Sequence, residues 1–432
     1  MIRRMSFPPK VDCLVRTFLA DTVGVALAGS ADIFEKEEAI LTLKKSEGDA
    51  KPIGHNRTCS IVDAIFVNGL SSHYLELDDG VRYGVIHPSA PLFAALIPLA
   101  VENKVTWDDF LRGTVCGYET SIRVACAMQP HHYSAGYHPT ATCCTLGVAV
   151  GVAVMLGWED AVVKDAFSAA CMSACGSLKV LEDISQLKPY NCAKAALNGY
   201  MSAIMARSGF VGPSDPLDGE TGFMKMMASS YDEDILIGEK EYLYLEKIYQ
   251  KLYASCRHTH PEIEACFKIR NEAGFSVEQI DCVKVTTYKG VIGKHDFKDI
   301  HGESSARMSI PYSVAVALAT GRAGIASFAE PYISDGKILG LAEKVNVIPS
   351  EELSRLVPDK RVAIVDVMMR DGAHFMERVE YPKGEPENPL SIEENLAKFL
   401  SMTDHAGLEQ ERALTIYKEL TQSRVPDFSI LW

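Results

Sequence analysis

The sequence predicts a mainly α fold, in which a large all-helical domain is joined to a smaller α+β lid domain. Three observations predict it. Apolar residues recur at helical spacing almost without a break up to about residue 250. Strand-type alternation begins only after about residue 260. A proline-rich crossing, Tyr381 to Leu390, then leads into a last helical pair. With 432 residues, 47% hydrophobic and 23% charged, the chain is long enough for more than one core. The expected division is residues 1–260 for the helical domain, completed by 390–432, and 261–389 for the lid.

The elements follow from local signals. Val11, Leu14, Val15, Phe18 and Val25 share one helix face, and Gly29 reads as the stop. Ser60 to Asp63 and Thr106 to Asp109 have the Ser/Thr-x-x-acid form of a helix start. Further helices are expected at 140–157, 159–175 and 193–208, where frequent small residues imply close helix packing. In the lid, Ile280 to Tyr288 alternates, and Arg361 to Met369 and His374 to Tyr381 flank an Asp371-Gly372 hairpin signal. Helices near 308–320 and 335–344 are interleaved with these strands, and Ser391 to Glu394 is a capping box.

Composition excludes several functions. A formal charge of −14 argues against nucleic acid or an anionic membrane as partner, because both need a basic patch. An anionic ligand must therefore meet a local group of cations. The basic N-terminus runs into Pro8 and Pro9 with no apolar signal core, and the apolar run Thr140 to Trp158 is interrupted by glycines and threonines. A cytoplasmic protein is the expectation. The 12 cysteines follow no disulfide framework and read as small buried hydrophobes. Dinucleotide, phosphate-loop, zinc-protease and serine-hydrolase motifs are absent, so no cofactor is expected.

Five polar stretches remain. Asp78 and Asp79 precede His87, a pattern in which a carboxylate can hold an imidazole for acid–base work; the bland alternative is a solvated helix end. His138 stands directly before a buried-looking helix. Lys188 lies near the start of another, where it adds to the positive helix end and suits a carboxylate. The densest group is Lys251 with Cys256, Arg257, His258 and His260. A zinc set of Cys256, His258 and His260 lacks a matching fourth partner, so no metal is expected and an anion-binding, proton-transferring group is more economical. Tyr312 in Ser309-Ile-Pro-Tyr312 offers a phenol, with a core tyrosine as its alternative.

The order and wording of these stretches resemble the MmgE/PrpD family. The resemblance is carried by Phe18 to Gly29, Asp78-Asp79 with His87-Pro88-Ser89, Gly136 to Thr142, Lys251 to Pro261, Ser309 to Tyr312 and Tyr381 to Gly384. It implies a large helical domain with a smaller lid, a homodimer, and a basic active-site pocket between domains. It also implies one of three activities on a small di- or tricarboxylate: 2-methylcitrate dehydration, iminodisuccinate epimerisation or cis-aconitate decarboxylation. Carried over by position, the implied catalytic residues are Asp78, Asp79, His87, His138, Lys251 and Tyr312. Lys188, Cys256, Arg257 and His258 are implied to bind substrate. Cys256 stands where the decarboxylase branch resembles a histidine-bearing pattern, so dehydration leads the expectation, epimerisation follows and decarboxylation is third.

Overall fold

The first helix does not stop at Gly29. In the computed structural model, which describes residues 6–181, 185–239, 242–274 and 276–432, α1 runs over Pro9–Leu43 with a local kink at Ile33 (φ −117°, ψ 17°). Gly29 sits inside this helix, where an added Cβ would run into the carbonyl of Ser71 on α2 (Ile61–Tyr74). Its small size permits a close helix crossing. Glycine at a helix end and glycine at a crossing look the same in sequence, because only the neighbouring helix distinguishes them.

The other helices of this unit are α3 (Ser89–Asn103), α4 (Trp107–Met128), α5 (His131–Ser134), α6 (Pro139–Met155), α7 (Asp160–Ser173) and α8 (Lys188–Arg207). Two short turns follow, α9 (Phe223–Met227) and α10 (Glu233–Ile237). Ser60 and Thr106 accept from the backbone N–H of Asp63 and Asp109, as the capping pattern requires. Helix α6 is buried nearly all round and lies between α4 and α8. Gly147 lets it approach α4, because a Cβ there would meet Ser121. Phe93 and Phe18 meet the ring of Tyr118 edge-on at 5.9 and 6.2 Å, which fixes α1 and α3 against α4.

The second unit takes in Lys251–Leu390 together with residues 185 and 186. Its helices are α11 (His260–Ala273), α12 (Glu303–Met308), α13 (Ile310–Thr320), α14 (Gly336–Ala342) and α15 (Glu351–Ser354). Its strands are β1 (Ile280–Thr287), β2 (Val345–Pro349), β3 (Ala363–Met369) and β4 (His374–Val379), in the order β2-β1-β3-β4. The β3–β4 hairpin turns at Gly372, whose φ of +90° suits glycine. β2, which pairs parallel to β1, was not anticipated: its five residues are too short to show a period. Helix α11 packs on β3 and β4, and α13 on α11 and β2.

The first unit ends at Gln250 and resumes at Ser391, so the segment from Lys251 onward packs with the second unit rather than with the helical domain. The last helices, α16 (Ile392–His405) and α17 (Gln410–Gln422), belong to the first unit, where α16 lies on α1. All twelve cysteines are free thiols. Among the described residues no helix is long and apolar enough to cross a membrane.

Candidate active site

In the first unit the polar residues gather where α2 ends. Glu76 takes a positive φ of 54°, which turns the chain sharply after the helix, and Val81 bridges Ile86 before α3 begins at Ser89. Lys398 of α16 secures this loop from beneath: its Nζ donates to the carbonyl of Leu77 at 3.1 Å and pairs with Asp21 of α1 at 2.6 Å. Asp78 is thereby held under the last turn of α2. Its Oδ2 lies 2.6 Å from Nδ1 of His73, and both side chains are sealed from solvent. The same oxygen is 3.4 Å from Nδ1 of His87, which also sits 2.6 Å from the carbonyl of Asp79.

The two adjacent aspartates have different surroundings. Asp78 faces imidazoles, and an ionised carboxylate there requires the proton on His73 Nδ1. His73 Nε2 is buried without a hydrogen-bond partner. Asp79 instead turns to the start of α3, accepting from the N–H of Ser89 at 3.3 Å and from its hydroxyl. Burial pushes the Asp79 carboxyl up to about 8. Ser89 Oγ is 2.6 Å from the phenol of Tyr118, which extends this chain into the core.

His138 occupies the N-cap position of α6 without a side-chain capping bond, and Lys188 opens α8 with Pro189 behind it. The helix there starts at Lys188 itself, ahead of the expected 193. His138 is 4% exposed, its ring centroid is 6.4 Å from that of His73, and its Nδ1 is buried with no hydrogen-bond partner. Burial holds its pKa well below the ordinary value, and the charges of Lys188, His73 and His87 act in the same direction. A neutral imidazole with a lone pair is the result. Lys188 is paired with Glu76, a residue only 7% exposed. The expected free cation is therefore already neutralised in part, as low-dielectric surroundings demand of a charge this deep.

The second unit holds its own cluster. Lys251 is fully buried, and the N–H of Cys256 donates to the carbonyl of Arg307 at 2.8 Å. Arg257 is paired with Glu385 and both are buried. His258 hydrogen-bonds through Nδ1 with the hydroxyl of Tyr288, and its ring stacks on His295 at 4.8 Å. Burial pushes the His258 pKa well below the ordinary range, helped by Arg361, His295, Arg257 and Lys294. Tyr312 is a core tyrosine: it is fully buried and its hydroxyl donates to the carbonyl of Ser327 at 2.8 Å. That bond occupies the phenolic proton expected to serve catalysis.

The imagined zinc set is not formed as written, because His260 directs Nε2 toward the carbonyl of Ser255 at 3.3 Å. Cys256, His258 and His295 instead bring one ligand-capable atom each within 4.8 Å of one another. His73, Asp78 and His87 do the same in the first unit, but both Nδ1 atoms there face the carboxylate, an internal hydrogen-bonding arrangement.

Comparison with known proteins gives the family of the chain. Residues 2–235 match the MmgE/PrpD N-terminal domain and residues 253–422 the MmgE/PrpD C-terminal domain. The chain belongs to the MmgE/PrpD family. It is 25% identical over 401 residues to the cis-aconitate decarboxylase of Aspergillus terreus, covering 85% of this chain and 81% of that one. It is 26% identical over 350 residues to the human cis-aconitate decarboxylase, covering 78% and 71%. A cis-aconitate decarboxylase-like protein of Aspergillus oryzae is 25% identical over 408 residues, covering 89% and 84%.

For this MmgE/PrpD chain, the structure brings together Asp78, His87, His138 and Lys188 of the expected set, and Cys256, Arg257 and His258 separately in the second unit. Sequence reasoning missed His73 and Glu76. A signal existed for His73, which lies five positions before Asp78 across a helix end. No local signal existed for Tyr288 or His295, which reach His258 only through folding.

Proposed function

We propose that this chain is an acid–base enzyme that moves a proton next to a carboxylate of a small di- or tricarboxylate, with dehydration of a 2-methylcitrate-like hydroxy acid as its leading reaction. The observation that carries the reading is His138: a buried, neutral imidazole with an unpartnered Nδ1, beside the His73–Asp78 pair. A group in that state is a base. Dehydration and epimerisation both begin with removal of a proton from carbon, which is the step such a base performs.

In the dehydration, His138 takes the proton from the carbon next to the substrate carboxylate. The electron pair left behind forms the new double bond as the neighbouring C–O bond breaks. The departing hydroxyl takes a proton from His87, whose Nδ1 is steadied by Asp79 and Asp78, and leaves as water. Lys188, kept in place by Glu76, stabilises negative charge as it builds on the carboxylate. Epimerisation uses the same base and returns the proton from the opposite face.

Decarboxylation is the second reading, favoured by the names of the relatives. In it an acid, a role open to Lys188, protonates the alkene carbon while the C–C bond to the departing carboxylate breaks; the electron pair of that bond forms the shifted double bond and carbon dioxide leaves.

The deciding experiment incubates the protein with 2-methylcitrate, citrate, cis-aconitate and iminodisuccinate in deuterated water, followed by NMR. Loss of water from a hydroxy acid supports the leading reading. Deuteration with inversion alone replaces it by epimerisation, release of carbon dioxide from cis-aconitate by decarboxylation, and no change in any substrate overturns the reading.

A further inference from the structure

We propose that Cys256, His258 and His295 form a site for a soft divalent cation of the zinc type, whose occupation inhibits the enzyme. The three residues come from two segments distant in sequence, the stretch leading into α11 and the loop after β1. Each places one ligand-capable atom within 4.8 Å of the other two. Tetrahedral zinc, with bonds of about 2.0–2.3 Å to nitrogen and sulfur, needs donors roughly 3.3–3.8 Å apart, so modest side-chain adjustment closes the set.

A second observation supports a cation ligand set. Both imidazoles are oriented through Nδ1: that of His295 donates to the carbonyl of Met308 at 2.9 Å, and that of His258 meets the hydroxyl of Tyr288. The contact at Nδ1 fixes the plane of each ring and the direction in which its Nε2 points. Metal-binding histidines are held in this way. His260, nearer in sequence, is turned away toward Ser255.

Three donors leave a fourth position open, and the positive charges of Arg361 and Lys294 act on the same cluster. Both features weaken the hold on a dication, which makes the site reversible rather than a resident centre. Inhibition, though not binding, rests on the proposed function and on the expectation, carried by the family resemblance, that Cys256 and His258 bind the substrate.

The test uses the full chain with Co²⁺ as probe. One Co²⁺ per chain is expected, with the intense visible bands of tetrahedral cobalt and a thiolate charge-transfer band, both displaced by Zn²⁺. Cys256→Ser should abolish the charge-transfer band, His295→Ala should weaken binding at least tenfold, and His260→Ala should leave it unchanged. Absence of the thiolate band, or its survival in Cys256→Ser, overturns the site. Turnover unaffected by stoichiometric Zn²⁺ in a protein that shows the band overturns the inhibitory role alone. The cobalt spectrum needs no substrate, so failure of the proposed reaction is read separately.

Discussion

Asp78 holds His73 through a 2.6 Å contact between Oδ2 and Nδ1, with both side chains closed to solvent. A carboxylate in this position selects one tautomer and stabilises the imidazolium formed when the ring takes a proton. Asp78→Asn keeps the shape but not the charge. It is expected to lower kcat by about 10²–10⁴-fold while the far-ultraviolet circular dichroism stays native. A variant with unchanged kcat would exclude the pair from catalysis.

His138 makes a prediction about pH. Its pKa is held well below 6.5 by burial, so its neutral form persists as pH falls through the range where an ordinary histidine is protonated. Substrate deuteration that depends on this base should therefore hold its rate below pH 6.5, and His138→Asn should lose it by about 10²-fold or more. A wild-type profile with a midpoint near 6.5 would point to a different histidine.

Lys188 and Glu76 form a mostly buried ion pair. Lys188→Met strands the Glu76 carboxylate and should cost about 3 kcal/mol in urea unfolding. Adding Glu76→Gln should restore most of that stability without restoring turnover. Recovery of both would make the pair purely structural.

Gly29→Ala tests the crossing of α1 and α2. The new methyl group would collide with the Ser71 carbonyl, a backbone atom that cannot swing aside. A loss of about 1–3 kcal/mol is expected from overpacking. A stabilised variant, as a helix-interior Gly→Ala change usually gives, would mean the helices separate at little cost.

Glu262 is fully buried, and burial pushes its carboxyl from 4.5 up to about 8. Between those values the native state keeps a proton that the unfolded chain has lost, so stability falls as pH rises from about 4.5 and levels off above about 8. The slope from this one group is up to about 1.4 kcal/mol per pH unit. Glu262→Gln should flatten the pH dependence of urea midpoints between pH 5.5 and 7.5. An unchanged slope would assign it to other buried acids, such as Asp79.

Much of the fold was legible because its signals are local. Ser60, Thr106 and Ser391 announce helix starts through bonds that span three residues. The strand pattern of β1 and the Asp371-Gly372 turn are equally short-range. The reading went astray where a residue's meaning depends on a neighbour distant in the chain. Gly29 was read as an end because Ser71 was not visible. Tyr312 was read as a phenol donor or a core tyrosine, and the carbonyl of Ser327, to which its hydroxyl donates, was not visible either. β2 is a strand only because β1 lies beside it.

The sequence by itself determined the chemical inventory: a helical chain with strands confined to its later part, no common cofactor motif, and histidines, aspartates and lysines in short polar stretches. Tertiary structure alone decided which of them meet. Lys188 finds Glu76 across 112 positions, and His258 finds Tyr288 across 30. It also decided their protonation: burial raises the Asp79 carboxyl to about 8 and keeps the His138 imidazole neutral. The physical reason is desolvation: the cost of a charge depends on how much water the surrounding chain removes, and that surrounding chain is brought together only by the fold.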